Sequence, residues 1–255
     1  MAHRLDGRVS IVTGGGNGIG KAYCEGLAAE GSAVAVAEID GDAAERVASS
    51  LRAMGAKAIE IATDVSDEQS TQRMAERTLS AFGRIDVLVN NAAVFATIPI
   101  SRVPLEQLSV QEWDHVMRVN LRGIFLACRA VLPAMRQQGY GKIINISSGT
   151  ALSGSPTRIH YTTSKGGVLS FTRTLAREVG GSGIRVNAIA PGSTLSEENP
   201  DQDVLRMRQA PVGARALQRV QLPDDLVGSV VFFASPDSDF ITGQTLVVDG
   251  GATMH

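Results

Sequence analysis

The chain has 255 residues, a formal net charge of -2, 44% hydrophobic residues and 27 glycines. This balance gives no electrostatic reason to expect nucleic acid or a membrane as a partner, so we expect a small molecule. The first residues have no apolar signal-peptide core, and no apolar run reaches the roughly 18 residues of a membrane span, which predicts a soluble, cytoplasmic protein. The two cysteines, Cys24 and Cys128, lack metal-site spacing, so we expect buried free thiols and no catalytic metal.

Short β-branched runs alternate with helical patterns along the chain. Strands are predicted at residues 9–13, 33–37, 58–62, 87–90, 142–146, 185–190 and 245–248. Helices are predicted at residues 18–30, 42–54, 67–82, 110–138, 161–179 and 224–234. This alternation predicts an α/β fold, a doubly wound parallel sheet with helices on both faces. No proline- or serine-rich linker divides it, so we predict a single domain over residues 1–255.

Two segments interrupt the alternation, residues 94–109 and residues 192–223. Ligands of open parallel sheets bind beyond the carboxyl ends of the strands, where both segments emerge. We therefore expect them to form the walls of a binding site, with a lid over about residues 193–220.

The first predicted strand runs into the turn TGGGNGIG at residues 13–20, which opens a helix. Glycines such as Gly14, Gly18 and Gly20 let the backbone turn sharply and approach a pyrophosphate, while the helix N-terminus supplies unpaired N–H groups. A glycine turn between a strand and a helix predicts a dinucleotide cofactor.

The second predicted strand is followed by Glu38, eighteen residues after Gly20. A carboxylate at this point can accept hydrogen bonds from the adenosine ribose hydroxyls, and it would repel the extra phosphate of NADP, so we expect NAD. A solvated carboxylate that opens the next helix is the alternative interpretation, and Asp40 competes for the same role.

Tyr161 and Lys165 lie four residues apart in a predicted helix, and Ser148 lies thirteen residues upstream of Tyr161. Residues four apart share a helix face, which places the ammonium beside the phenol. A unit charge about 4 Å away is worth roughly 4 kcal/mol at an effective dielectric near 20, or about three pKa units, enough to bring a phenol into its working range. An exposed amphipathic helix carrying both residues is the alternative.

Together these residues resemble the short-chain dehydrogenase/reductase family in its single-domain form, over nearly the whole chain. The motifs that carry the resemblance are TGxxxGxG at 13–20, Asp64, an NNAG-like run at 90–93, Asn120, Ser148, YxxSK at 161–165, Pro191-Gly192 and the terminal 248–251. The resemblance implies a Rossmann-type fold, NAD as cofactor, hydride transfer and a homotetramer.

The resemblance also implies site roles. Tyr161 would be the general acid in ketone reduction and the base in alcohol oxidation, Ser148 would hold the substrate oxygen, and Lys165 would bind the nicotinamide ribose and lower the tyrosine pKa. Asn120 would anchor a water in a proton relay, although a helix-kinking side chain bonded to backbone is the alternative. The implied cofactor contacts are Gly14, Asn17, Gly18, Ile19, Gly20, Glu38, Asp64, Val65, Asn91, Tyr161, Lys165, Pro191, Gly192 and Thr194.

Two positions depart from the family pattern. Ala93 replaces the usual glycine of NNAG and adds a methyl group where the cofactor passes. Ser196 stands where PGxxxT has threonine, while Thr194 lies earlier, so the contact to the carboxamide is open between them. His160 is a candidate for a further proton donor, but it points about 100° away from Tyr161.

These observations predict an NAD-dependent oxidoreductase that interconverts a secondary alcohol and its ketone. The enzyme alternatives are a sugar, polyol or cyclic diol dehydrogenase and a 3-oxoacyl reductase acting on an acyl carrier. The alternative outside enzymes is a regulator that senses a dinucleotide without turnover.

The residues expected around the nicotinamide are mostly apolar: Val94, Phe95, Ile98, Thr150, Ala151, Leu152, Leu195, Leu205 and Met207. Such a wall cannot pair the hydroxyls of a polyol, each costing about 1 to 3 kcal/mol if left unmet. We therefore expect a hydrophobic alcohol or ketone, and we interpret the acidic stretch at residues 197–203 as the solvated outer face of the lid. The alternative is that this stretch folds inward over a hydroxylated substrate.

Overall fold

A seven-stranded parallel sheet runs through the computed structural model, which describes residues 3–95 and 100–254. The strand order is β3-β2-β1-β4-β5-β6-β7. The strands are β1 Val9–Thr13, β2 Ala33–Glu38, β3 Ala58–Ala62, β4 Val87–Asn90, β5 Gly141–Ile146, β6 Ile184–Pro191 and β7 Thr245–Val248. The predicted doubly wound α/β fold is confirmed.

Nine α-helices accompany the strands in the described residues. They are α1 Gly18–Ala29, α2 Gly41–Ala53, α3 Glu68–Phe82, α4 Val110–Met117, α5 Gly123–Gln138, α6 Thr150–Ser153, α7 Ile159–Val179, α8 Gln202–Gln209 and α9 Asp224–Ala234. Helices α1, α2 and α9 pack on one face of the sheet, and α3, α5 and α7 pack on the other. Each face carries its own apolar core, which explains why the strands are apolar throughout rather than alternating.

The predicted helix at residues 110–138 differs most from the structure. It is divided into α4 and α5 by a π-helical turn, Arg118–Arg122, which carries the buried Asn120. The short helix α6 was not predicted, because four residues are too few to show a helical period. Of the described helices, none has the length and apolar character needed to cross a bilayer.

The glycine turn is packed against its own backbone. Gly14 has a φ of +64°, in the left-handed region that favours glycine, and a Cβ there would lie 2.8 Å from the Cα of Ala92. At Gly20 an added Cβ would lie 1.9 Å from the carbonyl oxygen of Gly14. The first turn of α1 therefore lies directly against the end of β1.

A buried polar network attaches α7 to the centre of the sheet. The Asn90 side chain donates to Asn145 Oδ1 at 2.8 Å, and Asn145 Nδ2 donates to Thr172 Oγ1 at 2.9 Å. Ser147, just after β5, donates to the backbone carbonyl of Lys165 at 2.8 Å. These directional bonds fix the position of α7 along the strands, which apolar packing alone would not specify.

We expect Gly20→Ala to lower the free energy of unfolding by at least about 2 kcal/mol, because the added methyl group collides with a backbone carbonyl. Urea denaturation without added cofactor measures this. The matched control is Gly228→Ala on the exposed side of α9, where a Cβ meets nothing within 4 Å and is expected to stabilise by up to about 1 kcal/mol. Equal stability of the two variants would contradict the close packing of the turn.

Candidate active site

A cleft of about 1070 Å³ lies at the carboxyl ends of the strands. Every predicted site residue except Asn120 lines it. The lining members are Gly14, Asn17, Gly18, Ile19, Gly20, Glu38, Asp64, Val65, Asn91, Ser148, Tyr161, Lys165, Pro191, Gly192 and Thr194. Residues far apart in sequence therefore meet in one cleft, as expected for an open parallel sheet.

Asn120 holds two neighbouring segments together. Its Oδ1 accepts from the backbone N–H of Val94 at 2.8 Å, and its Nδ2 donates to Ser164 Oγ at 3.3 Å. The side chain is fully buried in the π-helical turn. These contacts match the alternative of a side chain bonded to backbone, and the proton-relay role stays a prediction.

The proposed catalytic residues meet at one end of the cleft. The ring of Tyr161 stacks on Phe95 with centroids 4.4 Å apart. Lys165 Nζ lies 5.8 Å from the Tyr161 ring centroid and donates to the Ile146 carbonyl at 2.8 Å. Ser148 Oγ accepts from the backbone N–H of Thr150 at 3.3 Å. A nearly buried phenol, hydroxyl and ammonium therefore face the same space.

Burial shifts the pKa values of Tyr161 and Lys165. Loss of hydration raises the pKa of Tyr161, while the nearby Ser148 hydroxyl and the charges of Arg158 and Arg208 act in the opposite direction. Burial also lowers the pKa of Lys165 to about 8. Arg158 and Arg208, which the sequence analysis did not name, thus add positive charge that opposes the rise in the Tyr161 pKa, and the expected effect of Lys165 on that pKa stays a prediction.

The other end of the cleft has the features of a dinucleotide cradle. Glu38 accepts from the backbone N–H groups of Gly16 at 3.2 Å and Ile39 at 2.8 Å, which fixes its carboxylate over the turn. Asn17 lines the cleft and makes no side-chain cap bond to α1. Asp40 instead caps α2, accepting from two backbone N–H groups, so it does not compete with Glu38.

Three further cofactor candidates shape the backbone of the cleft. The Asn91 amide donates to the carbonyls of Thr13 at 3.1 Å and Gly14 at 3.0 Å. Asp64 Oδ1 accepts from the backbone N–H of Ser66 at 2.8 Å. The hydroxyl of Thr194 donates to Gln221 Oε1 at 3.2 Å. These side chains hold the strand ends and the lid in place, so cofactor contact would be an additional role.

The substrate wall differs from the apolar one that we expected. Val94, Phe95, Thr150 and Met207 line the cleft, but Ala151, Leu152, Leu195 and Leu205 do not, and Ile98 lies outside the described residues. Charged side chains also line the cleft, namely Arg102, Arg118, Arg158, Arg208 and Arg215, which sequence reasoning missed, and Glu197, which it assigned to the solvated face. No periodicity marked them, because their position depends on how loops fold over the strands.

The lid also departs from the expectation in one respect. We interpreted residues 197–203 as a solvated face, but the Glu197 side chain turns inward and pairs with the buried Arg208. Asp203 does lie on the exposed side, and Asp201 caps α8 through the backbone N–H of Val204. The lid therefore contributes an ion pair to the cleft.

His160 does not line the cleft. It is buried, with Nε2 3.3 Å from a carboxylate oxygen of Glu112. The described part of the chain contains no cluster of three metal-ligating side chains. Both cysteines are buried free thiols.

Comparison with known proteins establishes the family. The family model described as enoyl-(acyl carrier protein) reductase matches residues 14–253. The chain is 37% identical to a D-threitol dehydrogenase of Mycolicibacterium smegmatis, over 98% of this chain and 95% of that protein. It is 34% identical to a 3-oxoacyl-[acyl-carrier-protein] reductase of Thermotoga maritima, over 98% of this chain and all of that protein.

A crystal structure agrees with these relatives. A dehydrogenase/reductase from Sinorhizobium meliloti 1021 superposes with a TM-score of 0.88 at 34% identity, over 99% of this chain and 98% of that one. The chain belongs to the short-chain dehydrogenase/reductase family. It is an oxidoreductase that uses a nicotinamide dinucleotide, as the members of this family do.

In this short-chain dehydrogenase/reductase the burial of Lys165 has a measurable consequence. Its pKa falls from 10.5 to about 8 on folding, so its burial penalty is fully present below pH 8 and disappears as the pH rises to 10.5. Relative to Lys165→Met, the wild type should therefore gain up to about 3 kcal/mol of stability across this window.

Urea denaturation of both proteins at each end of the window checks this. Lys21→Met, which removes a half-exposed ammonium from α1, is the control and should show no such trend. A difference between wild type and Lys165→Met that is independent of pH would contradict the lowered pKa.

Proposed function

We propose that the chain is an NAD-dependent oxidoreductase that interconverts a secondary alcohol and its ketone, with Tyr161 as general acid and base. One observation carries this proposal: a glycine cradle with Glu38 over it and the buried group of Tyr161, Ser148 and Lys165 line the same cleft. Such a cleft can hold a dinucleotide and protonate a substrate oxygen.

Ser148, Tyr161 and Lys165 have separate roles in this reaction. A bound nicotinamide supplies hydride to a ketone or accepts it from an alcohol. Ser148 donates a hydrogen bond to the substrate oxygen, and the phenol of Tyr161 gives its proton to that oxygen during reduction. In oxidation the phenolate takes the proton back. The ammonium of Lys165 stabilises this phenolate, and its bond to Ile146 keeps it in place.

Two relatives favour other substrates. D-threitol is a polyol, and a 3-oxoacyl group on a carrier protein is a ketone on a macromolecule. Both reactions need the same proton transfer by Tyr161, so they share the mechanism and differ only in the substrate wall. A regulator that binds the dinucleotide without turnover is the alternative that the next experiment separates.

Tyr161→Phe should retain cofactor affinity and lose most turnover, because it removes the proton and one donor to the developing oxyanion. Removal of one such donor typically costs about 10² to 10³ in rate. Calorimetric titration with NAD and initial rates on a panel of alcohols and ketones measure the two effects. Turnover above about a tenth of wild type would contradict the role of Tyr161, and a wild type that binds NAD without turning over any substrate would favour the regulator.

Preference for NAD over NADP is supported by the fixed carboxylate of Glu38. The additional phosphate of NADP carries about -1.5 to -2 charge, and like charges about 4 Å apart repel by roughly 4 kcal/mol before screening. Next to Glu38 the lining residue is Ile39, which is 64% exposed and uncharged.

Glu38→Gln should raise the ratio of kcat/KM for NADP to that for NAD by at least about tenfold, since a tenfold change needs only about 1.4 kcal/mol of the repulsion. Asp42→Asn removes a carboxylate from the nearby start of α2 and is the matched control, with no expected change in the ratio. Comparable use of both cofactors by the wild type would contradict the assignment of Glu38.

We also propose that the protein is a homotetramer and that it lies in the cytoplasm. A groove between the π-helical turn, α5 and α7 is lined by apolar side chains that include Leu121, Phe125 and Phe171. Phe125 is 46% exposed, which is unusual for a large aromatic side chain unless a second subunit covers it. The two free thiols suit a reducing compartment.

A further inference from the structure

Positive charge is concentrated at the substrate end of the cleft. Arg102, Arg158 and Arg208 come from three separate segments and all line it. Arg158 lies 5.8 Å from the ring of Phe95, which in turn stacks on Tyr161 at 4.4 Å. The ring of Phe95 thus contacts both the guanidinium of Arg158 and the phenol proposed to act on the substrate.

Arg158 lacks a countercharge. It is half-buried, and its Nε donates to Ser155 Oγ at 3.1 Å. Within residues 3–95 and 100–254, neither terminal nitrogen of Arg158 has a hydrogen-bond acceptor or a carboxylate partner. Burial and the charges of Arg102 and Arg208 both lower its pKa, which means that the folded chain holds these like charges together at a cost.

Among the described residues, no carboxylate that lines the cleft pairs with Arg158 or Arg102. Glu197 pairs with Arg208. Asp249 lines the cleft, and its Oδ1 accepts from the backbone N–H groups of Gly251 and Ala252, while its buried Oδ2 has no hydrogen-bond partner in the part of the chain that the structure describes. Arg102 contacts the sulfur of Met207 rather than a carboxylate. Arg158 and Arg102 therefore retain charge that the described residues do not neutralise.

We infer that the substrate carries an anionic group, a carboxylate or a group of the same charge such as a phosphonate, which Arg158 binds through its two free terminal nitrogens. A guanidinium presents two parallel N–H donors that match the two oxygens of a carboxylate. Arg102 adds charge nearby, and the reacting carbon lies beside Tyr161. This inference rests on the proposed function and replaces the purely hydrophobic substrate that the sequence predicted.

The spacing limits the size of the ligand. Since Phe95 stacks on Tyr161 and lies within 5.8 Å of Arg158, a short chain over this ring reaches from the phenol to the guanidinium. Short keto acids and the corresponding hydroxy acids have this length. A neutral ester of the same acid has the same shape without the charge.

The test compares the affinities of anionic and neutral ligands of similar shape for the wild type and for variants of Arg158. Calorimetric titration of the enzyme saturated with NAD gives dissociation constants for 4-oxopentanoate, for its methyl ester and for the corresponding phosphonate, because oxidised cofactor with a ketone cannot turn over. We expect the anions to bind at least about tenfold more tightly than the ester, the range of a hydrogen bond to a charged group. Arg158→Gln should abolish this preference, and Arg158→Lys should restore part of it.

Arg173→Gln is the control, since it removes an exposed guanidinium from the same helix, outside the cleft, and should leave the preference unchanged. Equal affinity of wild type for anion and ester, absence of binding by either, or an unchanged preference in Arg158→Gln would overturn the inference. If Arg158 acted only on the acidity of Tyr161, Arg158→Gln would slow both substrates equally and keep the affinity ratio.

Turnover is measured separately with NADH and the same pair of ketones. Anion-selective binding without turnover of any ketone would support the anion site and contradict the oxidoreductase reaction proposed above. Turnover of both ketones with equal kcat/KM would support the oxidoreductase reaction and contradict the anion site.

Discussion

The bond from the Lys165 ammonium to the Ile146 carbonyl is the constraint on which the rest of the site depends. It joins the first part of α7 to the carboxyl end of β5 over 2.8 Å. Burial of this ammonium lowers its pKa to about 8, so the chain keeps a cation where hydration is poor. Ser147 adds a second bond between the same two elements. Because α7 cannot shift, Tyr161 has a fixed position one helical turn before Lys165.

The same strand ends organise both halves of the cleft. Parallel strands end at one edge of the sheet, and the turns that follow β1, β2, β4 and β5 therefore face one another. Close backbone packing at Gly20 shapes the proposed cofactor end, while loops and the lid shape the proposed substrate end. Relatives that act on different substrates can therefore share this fold and differ in the side chains of the loops and the lid.

The sequence predicted the features that follow from local pattern. Apolar β-branched runs predicted all seven strands to within one residue at either end, because parallel strands are buried on both faces. The spacing of Tyr161 and Lys165 placed them on one helix face, and Glu38 was found from its position at the end of β2. Features that depend on contacts between segments distant in sequence were not predicted. Asn120 of the π-helical turn contacts Val94, and Arg158 and Arg208, fifty residues apart in sequence, both act on Tyr161.

Two residues of α8 have a burial opposite to what their hydropathy predicts. Leu205 lies on α8 with 44% exposure, whereas Arg208, three residues later, is buried in the cleft. A hydrophobic side chain on the outside and a charged one on the inside reverse the usual preference, so hydropathy could not predict this helix face. The ion pair with Glu197 makes the burial of Arg208 possible.

Transfer of deuterium from the cofactor to a ketone tests the central claim most directly. The enzyme is supplied with NADH dideuterated at the nicotinamide C4 and with a mixed panel of neutral and anionic ketones, and the products are analysed by mass spectrometry. The account predicts alcohols with one deuterium at the carbinol carbon from the wild type, formed at least about a hundredfold more slowly by Tyr161→Phe. Binding of NADH without any labelled product would contradict it.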